Sequence, residues 1–224
     1  FISRYTASVA SKHLDLRNKP TEVIHNGVDI DTTKDVKRPA FLPDGKYLFT
    51  IGMVLEKKNF HVLIDFMKDL PGYNLIIAGD KSDYYAYRME KDIRRKKLAG
   101  RIIMPGIITH DQKIYLYRHC EAFLFPSRME GFGLPVIEAM RFGKPAFLSN
   151  MSSLPEIGGK LAFYWDHFNA GYMRKVFHEK MDDYRADQIA YSKKLQDYSA
   201  GFKWEKSLQK YTEIYENIIR QHHD

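Results

Sequence analysis

Cysteine is nearly absent from this 224-residue chain, in which Cys120 stands alone. With no second thiol to pair with, a disulfide scaffold and a Cys-based zinc site are excluded, and a reducing cytoplasmic setting is expected. No run of about 18 consecutive apolar residues occurs, which excludes a membrane-spanning helix. Phe1-Ile2-Ser3-Arg4-Tyr5 lacks a basic head followed by an apolar stretch, so no secretory leader is expected there, and a start at Phe1 rather than Met suggests a fragment. Internal repeats, low-complexity segments, zinc-finger spacing and RNA-recognition motifs are also lacking.

What is there fits one ordinary domain. The chain is 44% hydrophobic, and at this length roughly 70% of the unfolded surface can be buried without metal or disulfides. Lys and Arg exceed Asp and Glu by 35 to 28. The densest basic run lies between Arg88 and Arg101, where Arg94-Arg95-Lys96-Lys97 sits in a stretch that reads as helical. It is either a solvated helix face or a patch for an anionic membrane or partner. Nucleic acid is not expected as the partner.

Short apolar runs alternate with longer amphipathic stretches, which predicts an α/β fold with a doubly wound parallel sheet, Rossmann-like in type. Strands are expected at Tyr47–Ile51, Asn74–Ala78, Ile102–Met104, Ala122–Phe125, Pro145–Leu148 and Leu161–Tyr164. Helices are expected at Phe60–Lys68, Tyr85–Leu98, Asp111–Arg118 and Pro135–Phe142. Residues 1–18 depart from this rhythm, with a strand-like start, a helix over Tyr5–Leu14 and Asn18-Lys19-Pro20 to end it. They read as a connector, and residues 19–200 as the domain proper. Residues 201–224 hold the helix Trp204–Arg220, whose Trp204, Leu208, Tyr211, Ile214, Tyr215 and Ile218 form an apolar stripe. That stripe packs either on this domain or partly on a domain outside the chain.

The chemistry concentrates after the strand Ala122–Phe125, in Pro126-Ser127-Arg128-Met129-Glu130-Gly131-Phe132-Gly133-Leu134-Pro135-Val136-Ile137-Glu138. Ligands of open α/β sheets bind outside the carboxyl ends of strands. Gly131 and Gly133 permit close approach, and Pro135 suits a first helical turn, so the helix begins near Gly133 or Leu134. Its free amides and positive dipole end make an anion site, with phosphate as the expected occupant. Glu130 and Glu138, with seven residues between them, suit hydroxyl groups of a ribose or sugar ring. Alternatively, Glu138 merely complements the helix dipole and Glu130 is a solvated loop acid. The first strand ends in Gly52-Met53-Val54-Leu55-Glu56-Lys57-Lys58, placing Lys57 or Lys58 on the same rim to offset a diphosphate. The Gly-x-Gly-x-x-Gly of a dinucleotide site is absent from this turn.

Other residues attract attention and carry less. His13, His61, His110 and His119 show no metal spacing. His222-His223 reads as a solvated tail. Ser127 and Cys120 lack a nearby base motif for nucleophilic catalysis. Tyr84, Tyr85 and Tyr87, beside the basic run, serve either helix packing or contact with headgroups or rings.

Together these residues resemble the retaining glycosyltransferases of the two-domain GT-B fold, group-1 or family-4 type, in their C-terminal donor-binding domain. Val23-Ile24-His25-Asn26-Gly27-Val28-Asp29 is similar to the opening of that domain. Gly52 to Asn59 resembles its phosphate turn, Ile76-Ile77-Ala78-Gly79-Asp80 its second strand end, and Met104-Pro105-Gly106-Ile107 the turn beside the base. Glu130 to Glu138 matches its E-x7-E signature. Gly143-Lys144-Pro145 through Ser149-Asn150-Met151-Ser152-Ser153-Leu154-Pro155-Glu156 resembles the family's next strand and its loop.

The resemblance implies roles. Glu138 would hold the ribose, Glu130 the transferred sugar and Lys58 the diphosphate, so Glu130 and Lys58 are the catalytic candidates. Donor contacts would also come from Gly52, Met53, Gly131, Phe132, Gly133, Leu134, Val136 and Ile107, the last beside the base. Met53 stands where the family often has arginine, so Lys57, Arg128 or a residue outside the chain would substitute, or diphosphate binding would be weaker. Neither a metal nor another cofactor is expected. The implied reaction transfers a hexose from a nucleotide diphosphate sugar to a hydroxyl of a glycan or lipid-linked acceptor, held by an N-terminal domain outside this chain, with retention of configuration. By itself this chain is expected to be inactive. A GT-B epimerase or phosphorylase, and a noncatalytic nucleotide-sugar or nucleic-acid binding module, remain alternatives.

Overall fold

A computed structural model of the chain describes residues 1–17 and 19–221. Its elements in chain order are α1 (Arg4–His13), β1 (Tyr47–Ile51), α2 (Val62–Lys68), β2 (Asn74–Ala78), α3 (Tyr84–Arg95), β3 (Ile102–Gly106), α4 (His110–His119) and β4 (Ala122–Phe125). Then come α5 (Leu134–Arg141), β5 (Ala146–Ser149), α6 (Leu154–Gly158), β6 (Phe163–Trp165), α7 (Ala170–Ala186), α8 (Gln188–Ser199) and α9 (Trp204–Gln221). The six strands form one parallel sheet in the order β3-β2-β1-β4-β5-β6. The direction of winding reverses between β1 and β4, which opens a crevice beyond their carboxyl ends.

Register sorts the core into two faces. Phe49 pairs with Phe123 and Leu124 with Phe147, so alternation turns Phe123 and Phe147 to opposite sides. On the first side Tyr117 of α4 packs edge-on against Phe49, with ring centroids 5.0 Å apart. On the other, Phe177 of α7 lies 5.0 Å from Phe147 and 5.5 Å from Phe66 of α2. Both faces are therefore apolar, as the continuous runs Tyr47–Ile51 and Ala122–Phe125 require.

Several boundaries differ from the sequence reading. No strand forms at Phe1–Ser3; Ser3 instead caps α1, its side chain accepting from Thr6 N in a capping box. The sixth strand is Phe163–Trp165 rather than Leu161–Tyr164, because pairing with Phe147–Ser149 sets its register. Helix α3 stops at Arg95 instead of Leu98. Lys97 takes a left-handed φ of 60°, its amide bonds Arg94 O and the Leu98 amide bonds Ile93 O, which is a Schellman end with Leu98 buried against the core. The basic run thus straddles a helix terminus, where cations complement the dipole. Most of the stripe of α9 is left uncovered by this domain: Trp204, Leu208, Tyr215 and Ile218 are exposed, while Tyr211 and Ile214 are half-buried. The base of α9 is seated, with Trp204 against Gly27 and Ser207 Oγ donating to His25 O at 2.6 Å. Asn18, His222 and His223 lie outside the described residues. Among the described residues no helix is long and apolar enough to cross a membrane.

The strand ends are drawn together by glycine. Gly52 N donates to Ala78 O and Gly79 N to Gly106 O, and a Cβ on Gly79 would lie 2.0 Å from Gly52 O at a φ of +132°. Gly79→Ala is expected to destabilise the fold by about 2 kcal/mol or more through this clash and the backbone strain. A Cβ on Gly72 meets nothing within 4 Å, and Gly72→Ala should stay within about 0.5 kcal/mol. Urea unfolding of the two variants checks the contrast.

Candidate functional site

Two loops meet at the crevice. After β1 a single turn of 3-10 helix over Glu56–Lys58 ends at Asn59, whose left-handed φ of 58° redirects the chain into α2. Lys57 O accepts the Arg128 amide at 2.8 Å and the Ser127 hydroxyl at 3.2 Å, and Asn59 Nδ2 donates to Pro126 O at 3.2 Å. The loop after β1 is thereby fastened to the loop after β4.

Lys58 crosses this joint. Its stem covers Gly52, where a Cβ would lie 3.4 Å from Lys58 Cε. Its ammonium donates to Glu130 Oε1 at 2.6 Å and sits 5.1 Å from the centre of the Phe125 ring. Both side chains of the pair are mostly buried, 14% and 13% exposed. Glu130 is held by its backbone as well, its amide donating to Ser152 Oγ and its carbonyl accepting from Ser153 Oγ, both at 3.0 Å. Ser153 Oγ also donates to Phe132 O at 2.8 Å. The loop after β5 therefore shapes the signature loop from behind.

Gly133 caps α5 at a φ of +116°, an angle that L residues rarely adopt. Pro135 has no amide hydrogen and Val136 N bonds Gly133 O at 3.0 Å, so the amides of Gly133 and Leu134 lead the helix end. Phe132 and Val136 are buried and present only backbone, while Leu134 is exposed. Met53 and Ile107 project from the rim, 55% and 80% exposed. The Arg128 guanidinium lies 6.0 Å from the Phe168 ring, and Lys57 is exposed.

Glu138 lies one turn into α5 and has two partners on α4. Lys113 Nζ donates to Oε1 at 2.7 Å and Tyr117 Oη to Oε2 at 2.8 Å. Helix α4 is started by a capping box of Thr109 and Gln112, and the four-residue spacing sets Lys113 and Tyr117 on one of its faces. Burial, together with the neighbouring Glu138 charge, pushes the Tyr117 hydroxyl well above its ordinary pKa, so it stays a donor.

A second acid centre supports the first. Glu156 receives the amides of Arg4 at 2.9 Å and Tyr5 at 3.3 Å, and His25 Nε2 lies 2.7 Å from its Oε1. Ser3 Oγ donates to Gly131 O at 2.7 Å, so the start of α1 rests on the signature loop. Burial opposes ionisation of Glu156, but these amide and imidazole contacts prevail and lower its pKa.

The structure thus brings Gly52, Lys58, Glu130, Gly131 and Gly133 to one crevice. Glu138, Met53 and Ile107 lie on elements bordering the same sheet end. Lys113, Tyr117 and Ser3 had no role in the sequence reading, and Asn59, Ser152, Ser153 and Glu156 only a likeness. Tyr117 and Lys113 were discoverable from their four-residue spacing on a helix, but nothing in sequence pointed that face at Glu138. Asp29-Ile30-Asp31 has Asp-x-Asp spacing, yet Asp31 closes a turn by accepting from Thr33 N and Oγ1 at 2.7 Å. Among the described residues no group of three or more His, Cys, Asp or Glu is placed to hold a metal.

Residues 31–194 match the family described as Glycosyl transferases group 1. The chain is 32% identical over 154 residues to the serotype-specific mannosyltransferase WbdA of Escherichia coli, covering 63% of this chain and 18% of that protein. It is 30% identical over 166 residues to O-antigen chain mannosyltransferase B of Escherichia coli, covering 71% of this chain and 42% of that protein. In fold it is similar to Anabaena Alr3699/HepE, solved in complex with UDP-glucose, at a TM-score of 0.81 and 20% identity over 96% of this chain and 62% of that one. The chain therefore spans less than half of these two mannosyltransferases.

The Glu156 contacts have a pH signature. Because its folded pKa lies below the unfolded one, its contribution to stability is present above the ordinary glutamate value and is lost as pH falls through the lowered value. Glu156→Gln is expected to be less stable than the parent at neutral pH, with the gap closing under acid. Thermal unfolding across an acid-to-neutral series measures it.

Proposed function

The chain belongs to the group 1 glycosyl transferases, and from that membership we propose that it is the donor-binding part of a hexosyltransferase. The enzyme takes the hexose from a nucleotide diphosphate sugar, passes it to a hydroxyl of a glycan or lipid-linked acceptor, and retains the anomeric configuration. The observation that carries this reading is the meeting of Lys58, Glu130 and the Gly133-capped start of α5 at the switch point of the sheet.

In this reaction the bond between the anomeric carbon and the diphosphate oxygen breaks, and the acceptor oxygen bonds that carbon while its proton passes to the departing phosphate. Negative charge grows on the diphosphate as the bond breaks. Lys58 and the amides leading α5 are donors fixed in advance for that charge, the arrangement that stabilises a transition state most effectively. Glu130 accepts from hydroxyls of the transferred sugar and Glu138 from the ribose. Met53 and Ile107 form apolar rim contacts, Ile107 beside the base. No metal takes part.

Residues 1–18 then connect to an acceptor-holding domain, residues 19–200 bind the donor, and 201–224 cross back to the other domain. The exposed stripe of α9 supports this division. The mannosyltransferase relatives and the UDP-glucose complex support a hexose carried on a nucleoside diphosphate.

A partner surface accompanies the reading. Tyr84, Tyr87, Arg88, Lys91 and Arg94 recur at helical spacing on the exposed side of α3, with the Tyr84 and Tyr87 rings stacked 5.9 Å apart. Amphipathic rings beside cations suit the surface of an anionic membrane, here at its cytoplasmic face.

Three experiments test these proposals. Calorimetry of UDP, GDP and ADP with the full-length protein should show selective binding of one of them. Lys58→Ala should weaken it roughly ten- to a hundredfold, as expected for loss of a charge-assisted contact. Turnover with the matching sugar nucleotide should survive EDTA, and product without acceptor would favour hydrolysis or epimerisation instead. Flotation with phosphatidylglycerol vesicles should show salt-sensitive binding that Arg88→Glu with Lys91→Glu removes; binding unchanged by these substitutions rejects the α3 surface.

A further inference from the structure

Glu138 is the one acid of the signature whose partners come from outside the crevice loops, and those partners carry an inference that rests on the donor reading above. We propose that Lys113 and Tyr117 are positioning residues that hold the Glu138 carboxylate for a ribose diol and so set the preference of the site for ribonucleotides.

The geometry supports this in three ways. Lys113 binds Oε1 at 2.7 Å and Tyr117 binds Oε2 at 2.8 Å, so each oxygen has one donor and keeps a second acceptor direction. Two adjacent hydroxyls of a ribose are donors with matching spacing. Tyr117 is also a rigid anchor: fully buried, with its ring 5.0 Å from Phe49, 5.5 Å from Phe123 and 5.9 Å from Phe142. A glutamate side chain has three rotatable bonds, and fixing them before binding removes an ordering cost that the ligand would otherwise meet. Finally, Lys113 gives Glu138 the counter-charge that Lys58 gives Glu130. Without it, an uncompensated carboxylate would repel a diphosphate bound at the start of α5.

A purely structural staple between α4 and α5 would use the same contacts, and the two roles separate on one ratio. The readout is the affinity of the full-length protein for the nucleoside diphosphate it prefers, divided by that for the 2′,3′-dideoxy counterpart, both by calorimetry. The parent is expected to favour the ribonucleotide about tenfold or more, the value of one or two hydrogen bonds to a charged acceptor. Tyr117→Phe and Lys113→Met should each bring the ratio below about threefold, with the dideoxy affinity of Tyr117→Phe little changed. Lys113→Met should in addition weaken both ligands at low salt, and Lys113→Arg should restore them. A ratio unchanged in folded Tyr117→Phe and Lys113→Met overturns the positioning role while leaving the donor site intact. A parent that binds nucleoside diphosphates without preferring ribose overturns the inference through Glu138, and a parent that binds none overturns the donor reading itself.

Discussion

The carbonyl oxygen of Lys57 takes two donors from the loop after β4, the Arg128 amide and the Ser127 hydroxyl. That joint bridges the point where the sheet reverses its winding. Parallel strands β1 and β4 bring their carboxyl ends side by side, but nothing in strand pairing fixes the loops beyond them. The Lys57 contacts, with Asn59 reaching Pro126 O, convert two independent loops into one rigid rim. The distance between Lys58 and Glu130 depends on this joint, as does the direction in which Gly133 starts α5.

Charge at the rim is balanced pair by pair. Glu130 has Lys58 and Glu138 has Lys113, so neither acid faces an incoming anion uncompensated. Pairs this buried contribute little net stability, because desolvating both partners opposes their attraction. Their value lies in geometry. A carboxylate held at one oxygen by a cation is oriented and still able to accept hydrogen bonds from hydroxyls.

The supporting layer is built from small hydroxyls and one acid. Ser152 and Ser153 bind the backbone around Glu130, Ser3 binds Gly131 O, and Glu156 gathers the first amides of α1. Through Glu156 and His25, α1 and the Val23–Asp29 segment share one anchor with the base of α9. The apolar stripe further along α9 lies open to solvent, in contrast to the closed core beneath the sheet.

Much of this was legible in residues. Mostly apolar runs bounded by turns determined the strands at Tyr47–Ile51, Asn74–Ala78 and Ala122–Phe125, because a strand buried on both faces leaves little room for polar residues, the buried Thr50 being the exception in β1. Gly133-Leu134-Pro135 determined the start of α5, since proline at the second helical position needs no amide partner. Lys58 and Glu130 were legible as candidates on a shared rim, although only the folded chain makes them an ion pair. Other features were decided by tertiary structure. The end of α3 at Arg95 depends on Leu98 finding the core, which allows Lys97 a left-handed angle that its sequence does not announce. The partners of Glu138 depend on the packing of α4 beside α5, a contact between residues 25 and 21 positions apart. Local sequence sets backbone preference and burial pattern within a few residues. Which side chains meet across the crevice is set by strand order and helix packing, and these emerge only when the whole sheet is assembled.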